Sequence, residues 1–266
     1  MYDSFNRRIH YLRISVTDRC NLRCTYCMPE EGIQLLNHSN ILSLEEMAAF
    51  TDVAVKNGID KVRITGGEPL VRKGIVDFVK LLAGIEGIKD LSMTTNGVSL
   101  GHFAPLLKEA GLHRINISLD TINAEKFKTI TRGGDLNQVL DGVNAAIRAG
   151  LQPVKINCVV EKYPDEPDAM AVKSYCDALG IQVRFIPKMD LERGNYQTVI
   201  GGTGGNCALC NRLRLSSDGW LRPCLFNNNK FNIRELGFEQ AILQAVEAKP
   251  SCGSFSTENK FNEIGG

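Results

Sequence analysis

The feature that most restricts the fold is a sixfold alternation of short β-branched segments with amphipathic helical ones. Strand-like runs lie at 11–16 (YLRISV), 61–65 (KVRIT), 90–95 (DLSMTT), 114–119 (RINISL), 154–160 (VKINCVV) and 181–186 (IQVRFI). Helical patterns cover 43–58, 74–85, 102–111, 124–130, 136–150 and 168–180. Ser43 offers the first of them a cap and Gly58 a stop. Strands separated by helices pair in parallel, because a parallel neighbour needs a crossover connection. Periodicity does not separate an open doubly wound sheet from a barrel. The chemically distinctive residues fall just after successive strands, on the face where barrels build their sites, and this favours an incomplete (β/α)6 barrel of the TIM type. The rhythm stops near residue 190. A Gly-rich aperiodic stretch follows, then a hairpin over 212–226 around Ser217-Asp218-Gly219 and a last helix over 237–249. The expected division is 1–190 for the barrel and 191–266 for a small α+β extension.

With 31 basic and 30 acidic residues the net charge is +1, so the balance points to neither nucleic acid nor a membrane surface. No apolar run reaches the roughly 18 residues of a membrane span, and the first residues lack the apolar core of a signal peptide. A cytoplasmic chain is expected, and in that compartment cysteines read as metal ligands rather than as disulfides. Of the nine cysteines, three lie at 20–27 and three at 207–224. Cys158 and Cys176 read as small buried hydrophobes, and Cys252 also as structural. Cys20, Cys24 and Cys27 form C-x3-C-x2-C within DRCNLRCTYCMP. Three thiolates so close in sequence can wrap one metal centre. Zinc would need a fourth ligand, which His10, His38, His102 or His113 could supply. A four-iron cluster would keep one iron open for an exogenous group. Spacing alone leaves both open.

The triplet, with Tyr26 before its last cysteine, resembles the signature of the radical S-adenosylmethionine (SAM) superfamily. The resemblance implies a [4Fe-4S] cluster whose open iron chelates SAM, and a 5′-deoxyadenosyl radical on reduction. ITGGEPL at 64–70 strengthens it: Gly66, Gly67 and Glu68 match the stretch that binds the SAM amino group. Thr94 in TTNG and Ser118 in ISLD match positions that hold the SAM carboxylate and ribose. Arg184 and Met189 match positions near SAM and phosphate.

A second triplet, Cys207, Cys210 and Cys224, is again one ligand short, in CALCNRLRLSSDGWLRPCLF. This stretch, together with KVRITGGEPLVR, LSMTTNG, GLHRINISLD and the Gly265-Gly266 end, resembles the GTP 3′,8-cyclase family over most of the chain. That likeness implies an iron–sulfur extension with a second [4Fe-4S] cluster facing the purine. It places the triphosphate contacts at Arg13, Lys61, Arg63 and Lys155, and puts Arg212 and Arg214 at the substrate in catalytic roles. Gly265 and Gly266 would enter the active site. Physically, several cations on barrel strands favour an anionic ligand, although any one could be paired with Asp60 or Glu68.

The implied activity is that of a lyase forming cyclised GTP in molybdenum cofactor biosynthesis. It would need GTP or a related purine nucleotide, and an electron donor of flavodoxin or ferredoxin type. A homodimer is compatible with it. Two departures stand out. Only Leu191–Asn206 separates the last barrel strand from the second triplet, where the family has a longer segment. Pro187 and Lys188 also replace the acidic and aromatic pair expected after RFI. A divergent enzyme acting on another purine nucleotide is one alternative. A peptide-modifying enzyme is another, disfavoured by the ten residues before the first strand; a non-catalytic iron–sulfur or zinc module would have no use for GGEP.

Overall fold

The structure is a computed structural model and describes residues 1–264. Five β/α units and a sixth strand follow one another: β1 (Tyr11–Ser15), α1 (Leu44–Lys56), β2 (Lys61–Thr65), α2 (Ile75–Ala83), β3 (Asp90–Thr95), α3 (Leu100–Glu109), β4 (Arg114–Ser118), α4 (Ala124–Thr131), α5 (Leu136–Arg148), β5 (Val154–Val160), α6 (Pro167–Ala178) and β6 (Gln182–Pro187). The C-terminal part adds β7 (Arg212–Leu215), β8 (Trp220–Arg222), β9 (Phe231–Asn232), α7 (Ile233–Leu236), α8 (Phe238–Glu247) and α9 (Phe261–Ile264). The Ser43 cap is a reciprocal box: Glu46 N–H donates to Ser43 Oγ at 3.0 Å and Ser43 N–H to Glu46 Oε2 at 2.8 Å. Among the described residues no helix is long and apolar enough to cross a membrane.

All nine strands belong to one sheet, ordered β6-β5-β4-β3-β2-β1-β7-β8-β9. The pairs from β6 to β7 are parallel, and β7-β8-β9 is antiparallel. The expected hairpin is present, but it continues the barrel sheet through β7 on β1 rather than forming a layer of its own. No local signal could announce that pairing. Residues of β1, β2, β5, β6 and β7 line one common cavity, which requires the sheet to curl. The architecture is an α/β partial barrel.

Strand chemistry follows the two-residue period. Leu12, Ile14, Val62, Ile64, Leu213 and Leu215 are buried on the helix side of β1, β2 and β7. Tyr11, Arg13, Lys61, Arg63, Arg212 and Arg214 alternate with them and turn inward. A second small core, Leu191, Leu225, Phe226 and Ile264, sits under the C-terminal part. Residues 195–206 run along the open edge of β6, where Phe185 and Ile200 exchange backbone hydrogen bonds of 3.1 and 3.0 Å.

Candidate active site

Two cavities lie on the inner side of the sheet and share a wall of Asn157, Ile186 and Met189. The first is lined by Cys20, Cys24, Tyr26, Cys27, Gly66, Gly67, Glu68, Thr94 and Ser118, so it gathers residues that are almost a hundred positions apart in sequence. The thiols come from the loop after β1, and a zipper holds that loop down. Gly67 N–H donates to Thr17 O and Glu68 N–H to Arg19 O, both at 2.8 Å. A Cβ at Gly67 would stand 2.4 Å from Arg19 O, and one at Gly66 2.7 Å from Thr17 O. The close approach that requires glycine here is therefore to the cysteine loop itself.

Glu68 is buried, and burial pushes its carboxyl up to about 7 against the hydrogen bonds it accepts. Leu70 N–H and Thr95 Oγ1 bind its Oε1 at 3.0 and 2.7 Å, and Asn96 N–H binds its Oε2 at 2.6 Å. Oε2 keeps capacity for one more donor. Tyr26 gives its hydroxyl proton to Asp120 at 2.7 Å, and Asp120 also accepts from Val159 N–H at 2.8 Å. Burial pushes Cys24 and Cys27 up to about 12, helped at Cys24 by the Asp120 charge and then Cys20, and at Cys27 by the two neighbouring thiols and then Asp120. Asp120 and Asn96, whose amide reaches toward Cys20 Sγ at 3.8 Å, were not singled out from sequence although SLD and TTNG contain them.

The second cavity is cationic. Register lines up Asp90, Lys61, Tyr11 and Arg212 in one row across β3, β2, β1 and β7, and Ser92, Arg63, Arg13 and Arg214 in the next. Tyr11 is the hub: Lys61, Arg63 and Arg212 stand 5.1, 5.6 and 5.7 Å from its ring centre. Burial alone would raise the Tyr11 phenol, yet the surrounding charges of Arg63, Arg13, Arg212 and Lys61 bring it down. Burial, followed by Arg212, lowers Arg214 to about 10. Both effects reflect several cations gathered around Tyr11 in a buried setting.

Arg184 joins this cavity with a buried Nε that has no hydrogen-bond partner among the described residues, as does Arg212 with its Nε. Lys155 does not line it, although its ammonium is disfavoured by burial and by Arg184, Arg114, Lys61 and Arg63. Lys61 is ion-paired, but with Asp90 at 3.0 Å; Asp60 pairs with Arg8 and His10, and Glu68 with no cation among the described residues.

Cys207, Cys210 and Cys224 line one end of the second cavity. Their surroundings differ from those of the first triplet. Burial works against the Cys210 thiolate, but Lys249 and Arg212 lower its pKa overall. Lys249 is 3% exposed and its ammonium binds the carbonyls of Arg212 and Pro223 at 2.8 and 2.5 Å. Lys249, Arg7 and Tyr196 carry no motif and were missed. Cys158 and Cys176 are buried as expected, whereas Cys252 is exposed and stands beside the second triplet. All nine thiols are free, and among the described residues no three His, Cys, Asp or Glu side chains converge as the ligands of a single ion would. Gly265 and Gly266 lie outside the described residues, but Phe261 and Asn262 just before them line the first cavity.

Comparison with known proteins follows this geometry. The family model of the radical SAM superfamily matches residues 14–172. The GTP 3′,8-cyclase of Alkaliphilus oremlandii is 40% identical, with all of both chains covered. That of Heliobacterium modesticaldum is 41% identical over 94% of this chain and 93% of the relative. The first alignment runs over 321 positions against 266 residues here, so at least 55 positions of it have no counterpart in this chain. Among solved structures, Streptococcus suis SuiB bound to S-adenosylmethionine superposes with a TM-score of 0.67 at 16% identity, over 91% of this chain and 66% of that one. Methylornithine synthase (PylB) does so with a TM-score of 0.53 at 15% identity, over 70% and 55%. These two likenesses speak for the fold alone. On the family model and on full-length identity of this order, the chain belongs to the radical SAM superfamily and, within it, to the GTP 3′,8-cyclase family.

Proposed function

We propose that the chain works as its curated relatives are named, as a GTP 3′,8-cyclase: a lyase that converts GTP to (8S)-3′,8-cyclo-7,8-dihydroguanosine 5′-triphosphate in molybdenum cofactor biosynthesis. The observation that carries this reading is the juxtaposition of a thiol-lined cavity with a cation-lined one across a single wall. Membership of the superfamily brings SAM and a [4Fe-4S] cluster. The residues of the first cavity suit that pair: three free thiols, a carboxylate with one acceptor position left, and a buried Thr94 Oγ1 with no hydrogen-bond partner among the described residues. When bound, the two supply the radical that takes hydrogen from the substrate.

Cys20, Cys24 and Cys27 would hold that cluster. Gly66, Gly67 and Glu68 would receive the SAM amino group, and Thr94 and Ser118 its carboxylate and ribose. Tyr26, fixed by Asp120, sets the wall beside the cysteines. Met189 lies between the two cavities. Cys207, Cys210 and Cys224 would hold a second cluster, with Lys249 and Arg212 offsetting its charge. Arg13, Arg63 and Arg184 would take the triphosphate, with Lys61 and Lys155 at its margin. Arg212 and Arg214 would stand at the purine end. Residues 1–190 thus bind SAM and residues 191–266 complete the substrate chamber. An external donor of flavodoxin or ferredoxin type would supply the electron, as in a cytoplasmic enzyme.

The test is anaerobic reconstitution, then incubation with SAM, reductant and a panel of nucleotides. Cyclised product is expected from GTP. Alanine at the first triplet should abolish 5′-deoxyadenosine; alanine at the second should spare it and lose the product. Formation of 5′-deoxyadenosine by the first variant would overturn the assignment. The missing 55 or more positions favour one second reading, a different purine nucleotide as substrate, and the same panel decides it.

A further inference from the structure

We propose that Cys252 is a fourth thiolate ligand of the second cluster in the substrate-free protein. The inference rests on the reading of Cys207, Cys210 and Cys224 as a cluster site. Cys252 belongs to a stretch that three separate anchors pin against that site. The buried Arg7 guanidinium donates to Cys207 O at 2.7 Å, to Ser251 O at 3.0 Å and to Pro250 O at 2.6 Å, while Asp3 fixes its Nε at 2.7 Å. Ser254 N–H donates to Phe226 O at 2.9 Å. The Tyr196 hydroxyl stands 3.0 Å from Gly253 O, 3.2 Å from Cys207 Sγ and 3.0 Å from Cys252 Sγ. One oxygen therefore touches both sulfurs.

The next residue along the chain is as close to a third sulfur. A Cβ built at Gly253 would stand 3.3 Å from Cys224 Sγ and 2.8 Å from Phe226 Cβ, so only glycine lets the chain pass there and set Cys252 beside Cys207. Lys249, three residues before Cys252, is buried with its ammonium on the carbonyls of Arg212 and Pro223, which fixes the start of this stretch against the hairpin that carries Cys224. A fourth sulfur thus stands at the rim of the site, outside the cavity lining but held beside Cys207 by these anchors.

A four-iron cluster usually has a cysteine on each corner. A tethered thiol next to an uncapped iron acts at an effective concentration of about millimolar or more, well ahead of adventitious ligands. Ligation removes the Cys252 thiol proton to solvent and changes no oxidation state. A substrate that binds this iron must then first displace a thiolate.

The experiment is alkylation with iodoacetamide of the reconstituted full-length protein, read residue by residue by mass spectrometry beside an iron count. Cys252 is exposed, so steric shielding does not explain its protection. With about eight irons per chain, a protected Cys252 that becomes labelled once iron is chelated away supports the inference. About eight irons with Cys252 alone labelled overturns it and leaves the second cluster standing. About four irons with Cys207, Cys210, Cys224 and Cys252 all labelled, or a Cys207–Cys252 disulfide at that iron content, overturns the second-cluster reading and this inference with it. A second measurement uses EPR of the reduced second cluster in a chain carrying C20A, C24A and C27A. Adding C252S should shift its g-values at unchanged iron content, and identical spectra would count against ligation. If that background fails to fold, the labelling of the intact chain still decides.

Discussion

At the scale of single residues, Asp90 decides what Lys61 is free to do. Its carboxylate meets Lys61 at 3.0 Å and binds Arg114 at two points, 2.8 and 2.7 Å. Burial would raise its pKa, but the hydrogen bonds and charges of Arg114 and Lys61 hold it at about 2, below its usual 3.8. A carboxylate depressed by folding stabilises above its unfolded value, and that stability is lost as pH falls toward the folded value. The window is therefore about pH 4 down to 2, and the contribution is roughly 2 kcal/mol. Asp90→Asn should lower stability by about that much at neutral pH, and its acid-unfolding curve should lack the extra loss in this window. Parallel curves for the two proteins would contradict the assignment. The same pair ranks the cations. Among the described residues, Arg63 hydrogen-bonds the Ser92 Oγ side chain at 3.2 Å and stands over the Tyr11 ring without an ion pair, whereas Lys61 is ion-paired with Asp90. Arg63→Ala should weaken GTP binding about tenfold or more, since charge-assisted contacts are worth roughly 1.5–3 kcal/mol. Guanosine should lose less, and Lys61→Ala should cost less than Arg63→Ala. Equal losses for GTP and guanosine would remove phosphate from the explanation.

At the scale of elements, the loop after β2 acts as a latch on the loop after β1. Gly67→Ala would drive a Cβ against the Arg19 carbonyl at 2.4 Å, and a backbone atom has little room to yield. The expected cost is roughly 1–3 kcal/mol of stability, with loss of SAM binding measured by calorimetry on the reconstituted protein. Gly101→Ala is the contrasting case. A Cβ there meets nothing within 4 Å and the residue lies inside α3, so alanine should stabilise by about 0.5–1 kcal/mol. Unchanged SAM affinity in Gly67→Ala would mean that the latch has nothing to do with the cofactor. The elements themselves were largely readable in the chain. β2, β3 and β5 have the expected bounds, and α1 through α6 differ from expectation by a few residues at their ends. Local pattern and capping determine such segments. The short β9, α7 and α9 carried too few residues for any period to show.

At the scale of the molecule, what sequence could not supply is what brings distant chain segments together. Motifs named the thiols, Tyr26, Gly66, Gly67, Glu68, Thr94 and Ser118 of the first cavity, because its loops each follow a strand in a regular order, but not Asn96, and Arg184 lies in the second cavity instead. They did not name Tyr196, Arg7, Lys249 or the position of Cys252, since these are brought together by β7 docking on β1 and by the return of the chain after α8. The end of the chain is a whole-molecule question too. Phe261 and Asn262 line the first cavity and Ile264 is buried in the small C-terminal core, so the stretch leading to Gly265 is anchored at the site. Removing Gly265 and Gly266 should leave 5′-deoxyadenosine formation intact and abolish cyclised product. Full product from the truncated protein would make those two residues dispensable.

The parallel seam between β1 and β7 also sets a timetable for biosynthesis. His10 and Asn211, bonded at 3.0 Å where that seam begins, are 201 residues apart. At a synthesis rate of roughly 5–20 residues per second, the outer edge of β1 waits on the ribosome for about ten seconds or longer before its neighbour exists. During that interval the nascent chain already contains Cys20, Cys24 and Cys27 and the strands that surround them, while the second triplet has not been made. An open parallel edge is an invitation to wrong pairing, so the emerging half-barrel is the species that a chaperone would meet. Cys20, Cys24 and Cys27 are thus in place long before β7 closes the seam, whereas Cys224 follows β7 in the chain and is made only after it.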